Sequence, residues 1–161
     1  MYKLKEIADK VYYVGVNDRQ KALFENMWPL PYGVSYNSYL IVDEKTVLID
    51  TVDVCYSDIF LKKVADALDG RSLDYLVVNH MEPDHAGSVE KLLEINPTIK
   101  VVGSATAITF LQHIVNRDFY SVVVDDGDTL SLGDKTIRFY SVPSLHWPDT
   151  IYSYIEEDGV S

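Results

Sequence analysis

The sequence predicts a single α/β domain, a mixed sheet with helices on an outer face. Three observations carry the prediction. Short apolar runs rich in β-branched and aromatic residues recur along the chain. Two of them, Asn37 to Val42 and Thr46 to Asp50, flank Asp43-Glu44-Lys45 as the arms of a hairpin would. Beyond them, strand-like runs alternate with helical patterns, which places helices against a sheet. A length of 161 residues suits one domain with one substantial core.

The elements follow in order. Val11 to Val16 is the first strand candidate. Residues 17 to 36 have no clear period and end in Trp28-Pro29-Leu30-Pro31-Tyr32-Gly33, whose prolines and aromatics predict a rigid, ordered loop. After the hairpin, Ile59, Phe60, Val64, Ala67 and Leu68 recur at helical spacing over Asp58 to Leu68, and Gly70 offers a stop. Tyr75 to Asn79 is a strand. Gly87 to Ile95 is a helix with Val89, Leu92 and Leu93 on its buried stripe, ended by Pro97. Lys100 to Gly103 is a strand. Ser104 caps a helix to Asn116, with Ile108, Leu111, Ile114 and Val115 inward. Strands follow at Ser121 to Val124, Thr129 to Leu132, Lys135 to Val142 and Thr150 to Ile155, with turns at Asp126-Gly127-Asp128 and Leu132-Gly133-Asp134.

A formal charge of −11 argues against nucleic acid or an anionic membrane surface as partner, since both need clustered Lys and Arg. The acidity reads first as solubility. The single cysteine, Cys55, excludes an intrachain disulfide and fits a reducing compartment; it reads as a core thiol. No run approaches the ~18 apolar residues of a membrane span, and the amino terminus lacks the apolar core of a signal peptide. A cytoplasmic protein is expected.

The chemistry concentrates in residues 80 to 85, His-Met-Glu-Pro-Asp-His, directly after a strand. In an extended segment His80, Glu82 and Asp84 share a face. His85 joins them if the chain turns into a helix there. Imidazoles and carboxylates crowded at one strand end repel or compete unless a cation organises them. His146, in the loop after the strand ending at Val142, can reach the same place if the strand ends are adjacent. His113 lies mid-helix and reads as a solvated residue. Asp50 ends a strand and either supports a ligand by hydrogen bonding or serves as a turn or cap. Five ligands, His80, Glu82, Asp84, His85 and His146, exceed one tetrahedral zinc. They suit a pair of ions about 3.5–4 Å apart. Nitrogen and carboxylate oxygen without thiolate suit iron or manganese redox centres, and a zinc hydrolase stays open on these residues alone.

Four segments carry a family resemblance: Leu23-Phe24-Glu25-Asn26-Met27-Trp28-Pro29-Leu30-Pro31, Gly33-Val34-Ser35-Tyr36-Asn37-Ser38-Tyr39-Leu40, Asn79-His80-Met81-Glu82-Pro83-Asp84-His85-Ala86-Gly87-Ser88 and Ser144-Leu145-His146-Trp147-Pro148-Asp149-Thr150. Over nearly its whole length the chain resembles the amino-terminal domain of flavodiiron proteins, A-type flavoproteins that reduce dioxygen or nitric oxide. The wider metallo-β-lactamase fold usually has His-x-His-x-Asp-His for zinc, and Glu82 in place of the second histidine is the flavodiiron signature.

The resemblance implies a metallo-β-lactamase-like αββα sandwich, of which residues 1–161 would form the first half and part of the second. It implies two non-haem irons, one held by His80, Glu82 and His146, the other by Asp84 and His85. Electrons would come from FMN in a flavodoxin domain, supplied by a donor such as rubredoxin or reduced flavin, in a head-to-tail homodimer. The family's bridging aspartate and a further histidine would fall beyond Ser161, as would the flavodoxin domain. The chain is therefore expected to be a fragment, inactive alone, with a broad apolar sheet face uncovered. The alternatives are a zinc-dependent hydrolase of the same fold and a non-enzymatic truncated module.

Overall fold

The computed structural model describes residues 4–24 and 26–161. Glu25 of the first resemblance segment, and the first three residues of the amino terminus examined for a signal peptide, lie outside that set. The strands are β1 (Lys5–Ala8), β2 (Val11–Tyr13), β3 (Val16–Asp18), β4 (Leu23–Phe24), β5 (Trp28–Pro29), β6 (Val34–Tyr36), β7 (Tyr39–Val42) and β8 (Thr46–Ile49). Helix α1 (Ser57–Leu68), strand β9 (Tyr75–Val77) and helices α2 (Pro83–Ala86) and α3 (Val89–Ile95) follow. The chain then runs through β10 (Lys100–Gly103), α4 (Ala105–Ile114), β11 (Tyr120–Val123), β12 (Thr129–Ser131), β13 (Thr136–Ser141) and β14 (Ile151–Ile155).

A seven-stranded sheet runs in the order β1-β2-β7-β8-β9-β10-β11. It is antiparallel from β1 to β8 and parallel from β8 to β11, because helices supply the later connections. A second, antiparallel sheet is β12-β13-β14.

Strand period decides which residue enters which core. Leu40, Leu48, Leu76 and Val101 join Phe60, Val64, Leu92, Leu93, Ile108 and Leu111 in the core between sheet and helices. Their neighbours Ile41, Val47, Ile49, Val77 and Val102 point the other way, onto Leu132, Ile137, Phe139, Ile151 and Ile155 of the second sheet. Burial on both faces explains why these strands read as continuous apolar runs. It also corrects one expectation. The inner sheet face is not broadly uncovered, because three strands already pack their side chains on it.

Other corrections are local. Gly15 breaks Val11 to Val16 into β2 and β3. A Cβ there would stand 2.2 Å from Tyr36 O. Residues 17–36 are not simply a loop, since β3 pairs with β6 and β4 with β5. The helix expected from Gly87 begins earlier and comes in two pieces, α2 and α3. Ile59 and Ile114 point to solvent rather than to the core, and Cys55 is exposed, not a core thiol. Ser104 caps α4 as expected, its hydroxyl accepting from Ala107 N at 3.1 Å. His113 is exposed. No helix among the described residues is long and apolar enough to cross a membrane.

Candidate metal centre

The site lies at the carboxyl ends of the parallel strands, where open α/β sheets leave a crevice. Asp50 follows β8 directly, and the segment from Asn79 to Glu82 leaves β9 for α2. The loop between β13 and β14 brings His146 and Asp149 alongside. Glu82 is the extended residue before α2, and Pro83 opens the helix, so the fixed proline φ sets the angle at which Asp84 and His85 leave the loop. Asp50 and His146 both have positive φ, 55° and 77°. Such backbone is uncommon outside glycine, though Asp and His tolerate it better than most residues.

The α2 turn is fastened to the segment after β8. Thr51 N and Oγ1 both donate to His85 O, at 2.7 and 2.8 Å. Ser88 N donates to Thr51 Oγ1 at 3.2 Å, and Ser88 Oγ donates to Val52 O at 2.9 Å. Gly87 permits the approach: a Cβ there would lie 2.8 Å from Val54 N and 3.0 Å from Val52 O.

His80, Glu82 and His146 converge, each offering one ligand atom within 4.8 Å of the others. Glu82 Oε2 lies 3.2 Å from His80 Nε2 and 2.7 Å from His146 Nε2. His80 and Glu82 are buried, whereas the His146 side chain is 55% exposed and forms the open side. His85 stands beside them, its ring 5.4 Å from that of His80, with Nε2 3.6 Å from Asp84 Oδ2. Trp147 packs edge-on against His80 at 5.0 Å. Lys21, Phe24, Asp53 and Pro83 complete, with Glu82, Asp84 and Trp147, an open basin over the carboxylates.

Behind each of two histidines stands a buried carboxylate. Asp149 Oδ2 lies 3.3 Å from His80 Nδ1 and accepts Met81 N at 2.7 Å. Asp50 Oδ2 lies 3.1 Å from His85 Nδ1, and its Oδ1 accepts Asn79 N at 2.7 Å. A carboxylate only accepts, so it holds the proton on Nδ1 and turns Nε2 toward the centre.

The electrostatics call for a cation. With Nδ1 directed at Asp149, His80 Nε2 meets Glu82 Oε2 at 3.2 Å, a contact that needs a proton or a metal ion between the two atoms. Burial pushes the Glu82 carboxyl up, but hydrogen bonds from His146 and His80 prevail and hold it below the usual range. Burial raises Asp84, and Asp84 Oδ1 is buried with no hydrogen-bond partner. Burial would lower His85, yet the Asp50 hydrogen bond and the charges of Asp50, Asp84 and Glu82 raise it to about 9. Two imidazoles and a carboxylate converge, with an unpartnered carboxylate oxygen beside them, a donor set that suits a hard or borderline cation.

The structure thus brings together His80, Glu82 and His146 and sets Asp84 and His85 next to them. It also places Asp50 against His85 rather than in a cap. The sequence reading gives Asp149 no role. The signal was there: a ligating histidine ordinarily has a partner for its second nitrogen, and an aspartate three residues past His146 is a natural source.

Known proteins resemble the chain in sequence and in fold. The family model described as "ODP family beta lactamase" matches residues 34–160. A flavo-diiron protein of Clostridium acetobutylicum is 39% identical over 97% of this chain and 40% of its own. A nitric oxide reductase of Moorella thermoacetica is 37% identical over 96% of this chain and 39% of its own. Among solved structures, rubredoxin oxygen:oxidoreductase of Desulfovibrio gigas superposes with a TM-score of 0.90 at 36% identity, over 96% of this chain and 39% of that one. The chain spans about 40% of the length of the curated relatives it matches. With 127 of its residues inside the family match (34 to 160), the chain belongs to the ODP family of β-lactamase-fold domains, whose solved relatives include flavodiiron proteins.

Proposed function

We propose that this chain is the metal-binding part of a flavodiiron oxidoreductase that reduces dioxygen to water, nitric oxide to nitrous oxide, or both. His80, Glu82 and His146 hold one iron in this reading, and Asp84 and His85 contribute to the second. The observation that carries it is the convergence of His80 Nε2, Glu82 Oε2 and His146 Nε2 beside the unpartnered Asp84 Oδ1. Glu82 in this position supports iron over the zinc of a hydrolase.

Iron bound here would supply electrons and open coordination positions for a diatomic oxidant, recharged from FMN and a donor such as rubredoxin or reduced flavin. The protein's part is positioning and enclosure. Glu82 Oε2 sits between two imidazoles, so one carboxylate fixes both ring orientations. Trp147, Phe24 and Pro83 give the basin an apolar wall, which suits a small neutral substrate and limits ordered water. Lys21 keeps its proton on Nζ: burial lowers its pKa, but the Tyr36 hydroxyl and the Asp53 carboxylate outweigh burial and raise it. It brings one positive charge to a basin whose other charged residues are the acids Asp53, Glu82 and Asp84. A head-to-tail dimer and a cytoplasmic setting belong to the same proposal.

The test is metal analysis with single-residue variants. The purified protein should take up iron in preference to zinc, with His80→Ala and Glu82→Ala depleting it and His113→Ala leaving it intact. Zinc alone in the protein, or iron loss in the His113 variant, would sink the assignment.

A further inference from the structure

We infer that Asp50 and Asp149 are unequal positioning residues, one for each half of the proposed centre, and that their pattern of oxygen use sets how each tolerates an amide. The inference rests on the metal-centre reading above. Both carboxylates face an imidazole Nδ1 and also accept a backbone N–H, Asn79 for Asp50 and Met81 for Asp149. They therefore grip the strand exit on either side of His80, from distant parts of the chain: Asp50 from the end of β8, Asp149 from the loop before β14.

The difference lies in the oxygens. Asp50 uses both, Oδ1 for Asn79 N and Oδ2 for His85 Nδ1. Asp149 uses only Oδ2, for both Met81 N and His80 Nδ1, while its Oδ1 is buried with no partner. An asparagine side chain has one accepting oxygen and one donating NH2. At position 149 the amide oxygen can occupy the Oδ2 place and keep both contacts, exchanging one unpartnered buried atom for another. At position 50 either orientation sets NH2 against an N–H, so one contact becomes a donor facing a donor. His85 then loses its aim, or Asn79 and the loop it begins are released.

Asp149 also fastens the first metal position to the second sheet's side of the molecule. Ser104 Oγ donates to Asp149 O at 2.8 Å, and Ile151 N, at the start of β14, donates to Asn79 O at 2.9 Å. Asp149→Ala removes both acceptor contacts at once and leaves His80 Nδ1 and Met81 N without a partner.

The experiment compares Asp50→Asn, Asp149→Asn and Asp149→Ala in the purified iron-loaded protein. Iron per protomer and the rate of release to a ferrous chelator are measured, with 57Fe Mössbauer spectra to tell the positions apart. His80→Ala and His85→Ala provide the spectrum of each single loss. Loss of a hydrogen-bonding partner behind a ligand typically costs about 10–100-fold in metal affinity. The expected result is that release from the His85 position rises by about that factor in Asp50→Asn, release from the His80 position rises likewise in Asp149→Ala, and Asp149→Asn stays within about threefold of the unchanged protein. If Asp149→Asn loses iron as readily as Asp50→Asn, or Asp50→Asn keeps both irons at the original rate, the inference is wrong. If His80→Ala and His85→Ala themselves retain all iron, the metal-centre reading fails instead. Should Asp149→Ala not fold, the two isosteric asparagine variants still decide the matter.

Discussion

Gly87→Ala adds a single methyl group to the hinge between the ligand turn and its support. Its φ is −60°, ordinary for any residue, so the whole effect is steric. The added Cβ would lie 2.5 Å from Pro83 O, 2.8 Å from Val54 N and 3.0 Å from Val52 O, where ordinary contact begins at 3.4 Å. Relief demands a separation of about 0.9 Å from Pro83 O (3.4 − 2.5) and about 0.6 Å from Val54 N (3.4 − 2.8). Every opposing atom is backbone, so no rotamer change absorbs it. Overpacking of this kind costs about 1–3 kcal/mol, and the stiffer unfolded chain returns about 0.4–1 kcal/mol. The net expectation is about 1–2 kcal/mol of lost stability. The larger effect falls on the proposed ligands, because α2 carries Asp84 and His85 and a functional constellation tolerates only about 0.5 Å of displacement. Urea unfolding of the metal-free variant measures the first quantity, and iron per protomer the second. Unchanged stability together with two tightly held irons would refute the argument that close approach at Gly87 positions the second half of the centre.

Two further predictions concern the core and pH. Phe139, fully buried between the sheets, should cost about 3–5 kcal/mol when cut to Ala, because a ring-sized cavity opens; a loss below about 1 kcal/mol in urea unfolding would mean that the second sheet does not pack on the first. His85 has a folded pKa of about 9 in the metal-free protein, above its ordinary 6.5. Its contribution to stability is thus fully present below pH 6.5 and disappears as pH rises through about 9. A metal ion at the proposed His85 position must displace that proton, so apparent affinity there should fall about tenfold per pH unit below the folded pKa. Unfolding and metal titrations of the unchanged protein against His85→Gln, from pH 6 to about pH 9.5, check both signs; a stability difference that grows with pH would contradict them.

What the sequence determined by itself is local and periodic. The apolar, β-branched runs Tyr39–Val42 and Thr46–Ile49, and the helical stripe of Phe60, Val64 and Leu68, depend on neighbours a few positions apart, so these elements are legible within a residue or two, whereas β1, β4, β5 and β6 carry no such run. The crowding of His80, Glu82, Asp84 and His85 was equally visible, because it lies within six consecutive positions. Ile59 and Ile114 lie exposed on stripes that read as apolar, because a helical stripe gives a face but not its width, and only the packed neighbours say where the core ends. Cys55 is exposed for a related reason: its burial depends on the turn into α1, not on its type.

Tertiary structure alone decided the rest. It joined His146 to Glu82 across 64 residues and Asp149 to His80 across 69, contacts fixed by which strand ends are adjacent in the sheet. It settled Asp50 as a partner of His85, a choice its place at a strand end left open. It also covered the inner sheet face with β12–β14, where a count of layers from sequence had left that face bare. Sequence carries the chemistry of a side chain and the period of its segment. Strand order, a property of the whole sheet, decides which distant carboxylate stands behind which histidine.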